Sequence, residues 1–428
     1  MGGRVIKSVR AQEVYTKRIH PGIEVIVATE GGHEGRAVCT GGHSIGTHEV
    51  QFAYDGGEKW GGKGVKGAVD KVNTIIAPTL AGLDAADQST IDRAMLELYP
   101  NAKAELGGNA VAAVSAAALK AGAASAGVPL YRHIGGQSAM YLPVPGIPTV
   151  NGDKRWGGGV TTPGTKPTYS FMMYGFDSFA EASYTGWEIQ QLWTKVMGRY
   201  GIRTSDIYGF FEIPEGMFRA EEEIWALMAE TIHLSGYEGK VGIQVDVAAD
   251  TYYNRKDQKY YGLFSDAPKN RDGMMELYIK AVSRYPFVII EDPFFEDDFE
   301  SHAELVQQTD IQIVGDDLFT TDTKRVLEGG KIGAANAVLL KVNQIGTISE
   351  ALEMVQLAYK LGYGVMPCES RGEGAAIADY CVGINAGSVR EMAIGETGNR
   401  FLEIERELGS KAKFLGAFGL QGKRFRRR

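Results

Sequence analysis

Four apolar runs, each closed by a charged residue, constrain this chain more than any other feature. In KVGIQVD (240–246) Val245 is followed by Asp246, and in PFVIIED (286–292) Ile290 is followed by Glu291. In IQIVGDD (311–317) Gly315 precedes Asp316, and in AVLLK (337–341) Leu340 precedes Lys341. Near-continuous apolarity over so short a run marks a strand buried on both faces, as in a parallel α/β sheet covered by helices. YGVMPC (363–368) continues the series, and the amphipathic stretches 220–234 and 348–361 lie between runs. The last three intervals between comparable positions are about 25 residues each, which a closed (β/α) barrel explains better than an open sheet.

The first part of the chain is patterned differently. YTKRIHPGIEVIVATEGG (15–32) and GRAVC (35–39) have strand character between glycine turns. Helical patterning follows in VKGAVDKVNTIIAPTL (65–80), around Ile91 to Leu98, and through the alanine-rich stretch to Leu130. Strands followed by helices predict a separate α+β domain over 1–138, with the barrel over 139–428. The basic end, Lys423 to Arg428, is expected to be a solvated, disordered tail.

Composition removes several classes of function. A net charge of −8 argues against nucleic acid as the main partner. The three cysteines form no paired framework and no CxxC, which predicts a reducing, cytoplasmic setting. The start of the chain lacks the apolar core of a signal peptide. The weakly apolar stretch 109–128 is mostly alanine and contains Lys120, the pattern of a packed helix rather than a membrane span.

The charged residues at the strand ends carry the chemistry. In a barrel they converge on the C-terminal mouth, where active sites sit. Three carboxylates meeting there repel one another unless a cation neutralises them, and oxygen-only ligands suit Mg²⁺ rather than zinc. Lys341 beside that cation is expected to have a lowered pKa. A neutral lysine can then take a proton from the carbon α to a carboxylate, with the metal stabilising the ene-diolate.

Other motifs fail on context. Gly42 to Gly46 matches GxSxG, but no helix pattern follows it. Gly62 to Gly67 matches GxGxxG, but it follows the polar YDGGEKW and is expected to be a turn feeding a helix. The histidines show no HxxxH spacing. Tyr252, Tyr253, Tyr260, Tyr261 and Phe264 suggest a hairpin insertion packing its own aromatics. Glu296, Asp297 and Asp298 suggest a charge cluster at a helix start.

The motifs VDVAAD (245–250), IEDPFFEDD (290–298), GDDLFTT (315–321) and LLKVNQIGT (339–347) resemble the barrel motifs of the enolase family. The likeness runs from about residue 20 to 410 and takes in KWGGKGVKGAVDKVNTIIAP (59–78), GGNAVAAVSAA (107–117), LPVPGIPTVNG (142–152) and FLEIERELG (401–409). It implies an enolase-type barrel with an N-terminal α+β capping domain, and Mg²⁺ at Asp246, Glu291 and Asp316. It also implies Lys341 as general base, a homodimer, and a hydro-lyase acting on a small (phospho)carboxylate such as 2-phosphoglycerate.

Departures from the family pattern fall on substrate binding. The segment after the lysine strand reads Cys368 to Gly374, with Glu369 in place of a histidine, while Ser370 and Arg371 remain to face an anion. The family's second lysine is missing from its expected place at 396–400. A Gln-Glu pair is replaced by Tyr169 and Ser170, and the loop bearing the general acid by Gly209 to Glu212. Ungapped, the acid falls on Phe210; a local shift supplies Glu212, or else Glu215. Arg155 stands at a histidine position, and Ser44 in CTGGHSIGTHEV (39–50) matches a mobile-loop serine that can ligate a second Mg²⁺. His43 is an extra group there.

The expected site is therefore Lys341 as base, Glu212 or Glu369 assisting the leaving group, and Ser44, Arg155, Glu369, Ser370 and Arg371 around the substrate anion. Two other readings share the barrel: a carboxyphosphonoenolpyruvate-synthase-like transferase, and a non-catalytic binder of metal and anion.

Overall fold

The computed structural model describes residues 2–17, 20–42, 45–151, 156, 166–203 and 209–426. Strands Ile6–Tyr15, Pro21–Thr29 and Glu34–Cys39 form an antiparallel sheet in chain order. Ile23, Val25 and Val27 are fully buried, and the helix Gly108–Ala126 packs over the sheet. A Cβ at Gly35 would lie 2.1 Å from the Ala117 carbonyl and 2.2 Å from the Ala121 nitrogen. Glycine on the strand and alanine on the helix are thus what let the two backbones approach so closely. The apolar stretch is this buried helix, and among the described residues no single helix is long and apolar enough to cross a membrane.

The barrel wall is an eight-stranded sheet. Its order is Gly364–Pro367, Ala337–Leu340, Gln312–Gly315, Phe287–Glu291, Val241–Asp246, Thr168–Met173, Val144–Val150 and Ser388–Val389. Every strand predicted from an apolar run lies in this wall. One expectation fails: the sheet is not parallel throughout. Thr168–Met173 runs antiparallel to both neighbours, with Thr168 opposite Asp246 and Tyr169 opposite Val245. Because the pair is antiparallel, the chain re-enters the wall from the rim that Val144–Val150 has just left.

Local expectations hold where turn and cap chemistry is clear. Lys59–Gly62 is a helical turn leading into the helix Lys66–Lys71. Tyr253–Asn254 and Lys259–Tyr260 form the hairpin, with Tyr253 stacked on Phe295 at 4.4 Å. Asp298 caps Phe299–Gln308 by accepting from the Ser301 N–H at 2.9 Å. Glu296 does not belong to that cap: it is buried and bonded to Thr47, which lies across the mouth.

The basic end is a correction. Lys423–Arg426 is a helical turn rather than a disordered tail. Phe425 is buried and meets Tyr174 edge-on at 5.5 Å. Arg424 donates to the Phe287 carbonyl and to Asp310, both at 2.7 Å. The basic pattern conceals one aromatic plug at the strand starts, and packing of that ring orders its neighbours. Phe425→Ala is expected to cost about 3 kcal/mol in a denaturant titration, the lower end for a buried phenylalanine.

Candidate active site

Strand register brings the predicted charges together. Glu291 pairs with Asp246 across parallel strands, and Asp316 and Lys341 directly follow the next two strands. All four are buried. Lys341 Nζ lies 2.5 Å from Asp316 Oδ2, and Gln344 Nε2 donates to Asp316 Oδ1 at 3.1 Å. Asp292, in a left-handed conformation with φ of 43°, accepts from the backbone N–H groups of Asp316 and Asp317 at 2.9 and 2.8 Å. It organises the loop that presents Asp316.

Two cations unassigned by sequence reasoning enter the same cluster. Arg390 Nη1 lies 2.7 Å from both Asp246 Oδ2 and Glu291 Oε1. Lys166 Nζ forms a second ion pair with Asp246 Oδ2. Arg390 follows the strand Ser388–Val389 as Lys341 follows its own, so the rule that found Lys341 also reaches it; a two-residue strand is too short to show in sequence. The cation sought at 396–400 does not serve the mouth: Arg400 pairs with Asp379, Glu403 and Glu407.

Burial and like charge dominate the electrostatics. Burial raises the Glu291 pKa, with Arg390 opposing and Asp316 adding to it. Asp317 is pushed up to about 8 by burial and then by Asp316. Lys166 is lowered to about 8, first by burial and then by Arg390. Lys341 departs from expectation. Burial, the largest single influence, would lower it, but the carboxylates of Asp316, Glu49 and Asp317 together outweigh burial and hold it above the usual lysine range.

The donor set fits a hard divalent cation. Ligand oxygens of Glu291, Asp292 and Asp316 lie within 4.8 Å of one another, and Asp317 Oδ1 and Gln244 Oε1 are buried without a hydrogen-bond partner. Asp292 is committed to backbone, so Glu291 and Asp316, with Asp246 beside them, are the side chains suited to holding the ion.

The remaining predicted residues separate into three groups. Arg371 is 1% exposed and grips Glu49, its Nη2 lying 2.5 Å from Glu49 Oε1, while its Nε is buried without a partner. Gln344 also donates to Glu49 at 3.0 Å, so this unpredicted carboxylate ties the cap to the barrel mouth. Glu369 is half-buried and accepts from the Gly374 N–H at 3.3 Å, and the Ser370 and Arg371 N–H groups donate to Glu373 at 3.2 and 2.8 Å. Glu212 is exposed at the rim, beside Phe211, which bridges Val150; it joins none of the described carboxylates or their cations. His43, Ser44 and Arg155 lie outside the described residues.

The segment after Ser44 crosses the mouth. The Thr47 N–H donates to Glu296 at 3.0 Å and His48 Nε2 meets Asp297 at 2.8 Å. A Cβ at Gly46 would lie 3.2 Å from Asp317 Oδ1, so backbone here approaches the carboxylates closely.

Two family models match the chain and cover both of its parts. The family model described as "Enolase, C-terminal TIM barrel domain" matches residues 139–422, and "Enolase, N-terminal domain" matches residues 6–134. A Methanococcus aeolicus protein named Enolase is 40% identical over 416 residues, covering 94% of this chain and 96% of its own. The Enolase of Methanocaldococcus jannaschii is 40% identical over 424 residues, covering 96% and 97%. That of Bifidobacterium animalis subsp. lactis is 38% identical over 427 residues, again covering 96% and 97%.

Proposed function

The chain belongs to the enolase family, as a hydro-lyase of that superfamily, and from this premise we propose that it abstracts the α-proton of a small (phospho)carboxylate with Mg²⁺ bound, 2-phosphoglycerate being the first substrate to test. The observation that carries the proposal is Lys341, whose buried Nζ stands 2.5 Å from Asp316 at adjoining strand ends.

Lys341 is the base. Its ammonium must shed a proton before it accepts one from carbon, and weakening its pairing with Asp316 is the step that frees it. Asp246, Glu291 and Asp316 hold Mg²⁺, which when bound supplies charge neutralisation and polarises the substrate carboxylate. Arg371, through its unpartnered Nε, meets the distal anion together with Arg155 and Ser370. Ser44 is the residue proposed to ligate a second Mg²⁺. Glu212 donates to the leaving group from the rim, and Glu369 is the other carboxylate in that role. The proposal includes a capping domain over 1–138, a barrel over 139–428, and a homodimer working in the cytoplasm.

Purified protein with Mg²⁺ is expected to exchange the α-hydrogen of 2-phosphoglycerate with solvent deuterium and to form the enol phosphate. No exchange into any 2-hydroxy- or 2-phospho-acid of a panel overturns the reading.

A further inference from the structure

Lys166 has no part in the chemistry described so far, yet it occupies the centre of the site. It precedes Thr168–Met173, and because that strand runs against its neighbours its start, not its end, faces the mouth. The side chain is 9% exposed and its Nζ meets Asp246. Its carbonyl accepts from the buried Tyr252 hydroxyl, which anchors the main chain at this point. An ammonium buried this deeply is unfavourable unless paired, so its position depends on the carboxylate.

The charges around it match one for one. Lys166 and Arg390 meet Asp246, Arg390 also meets Glu291, and Lys341 meets Asp316. Every carboxylate expected to ligate the metal is therefore already in contact with a protein cation. A divalent ion entering this cluster must displace some of that positive charge, and an anion entering offers it somewhere else to go.

We propose that Lys166 is a resident cation that competes with the divalent metal ion for Asp246 and moves onto the substrate's anionic group when substrate binds, so that metal and anion binding are coupled through it. The proposal rests on the reading above, in which Asp246, Glu291 and Asp316 hold the metal.

Mn²⁺ binding followed by electron paramagnetic resonance, with and without inorganic phosphate, tests both. Wild-type protein is expected to bind Mn²⁺ about tenfold more tightly when phosphate is saturating, as removal of one nearby positive charge implies. Lys166→Met is expected to bind Mn²⁺ about tenfold more tightly without phosphate and to gain little from it. Lys166→Arg is expected to restore the wild-type pattern.

Equal Mn²⁺ affinity and equal phosphate response in wild type and Lys166→Met overturn the role of Lys166 and leave the metal site standing. No Mn²⁺ binding in wild type with or without phosphate, and none changed by Asp316→Asn, overturns the metal site itself. Should Lys166→Met not fold, the wild-type pair of titrations decides: absence of phosphate-dependent tightening overturns the coupling.

Discussion

Lys341→Ala is expected to lower the rate of α-proton exchange by about 10³-fold, the range for loss of a positioned general base. The side chain is almost wholly buried, so solvent cannot readily reach the carbon in its place. Another amine of the site, Lys166, is held in an ion pair with Asp246. A merely structural lysine would behave differently: its loss would leave Asp316 unbalanced and lower stability, with activity falling only in step. Asp316 retains the Gln344 donor at 3.1 Å, and a bound divalent ion can replace the lost charge. The variant is therefore expected to keep its Mn²⁺ binding and its fold while exchange stops. Deuterium exchange followed by nuclear magnetic resonance, beside a thermal melt in Mg²⁺, separates the two roles. Exchange at the wild-type rate would place the base elsewhere.

Glu49→Ala is expected to cost about 4 kcal/mol of folding stability, the range for stripping one partner from a buried pair. Arg371 is 1% exposed and its two terminal nitrogens both meet the Glu49 carboxylate. The charge left behind is not relieved by deprotonation, because a guanidinium stays protonated in proteins. Truncating Glu49 leaves that charge enclosed and also removes an acceptor from Gln344 and from the Gly46 N–H. Guanidinium chloride titration of the metal-free protein measures the loss. A change below about 1 kcal/mol, the value of an exposed pair, would show that the mouth admits water around Arg371.

Much of the architecture was legible from one physical regularity. A strand buried on both faces must be apolar along its length, and the first residue to leave it at the mouth is free to be charged. Asp246, Glu291, Asp316 and Lys341 were found on that basis. The same regularity missed Arg390 because Ser388–Val389 is too brief to stand out. Lys166 escapes it for a different reason: it comes before a strand rather than after one, because that strand's direction is reversed. Strand direction depends on pairing between distant segments, and no local pattern records it. Glu49 lay in a glycine-rich loop without periodicity, and its partner is 322 positions away. The Lys341 pKa runs opposite to the expected lowering because carboxylates, Asp316 foremost, already lie around it. At the basic end, a count of charges outweighed the single ring that packs.

The reversed strand also bears on how such a protein can diversify. Val144–Val150 leaves the wall and Thr168–Met173 re-enters it at one rim, so the connection between them answers to no crossover geometry. Elsewhere in the barrel a change of loop length must be reconciled with a helix that has to return to the opposite end. Val150 and Thr168 sit at one rim, so joining them requires no such return. A change in the length of chain at that rim would leave the wall strands, the strand-end carboxylates and Lys341 where they stand.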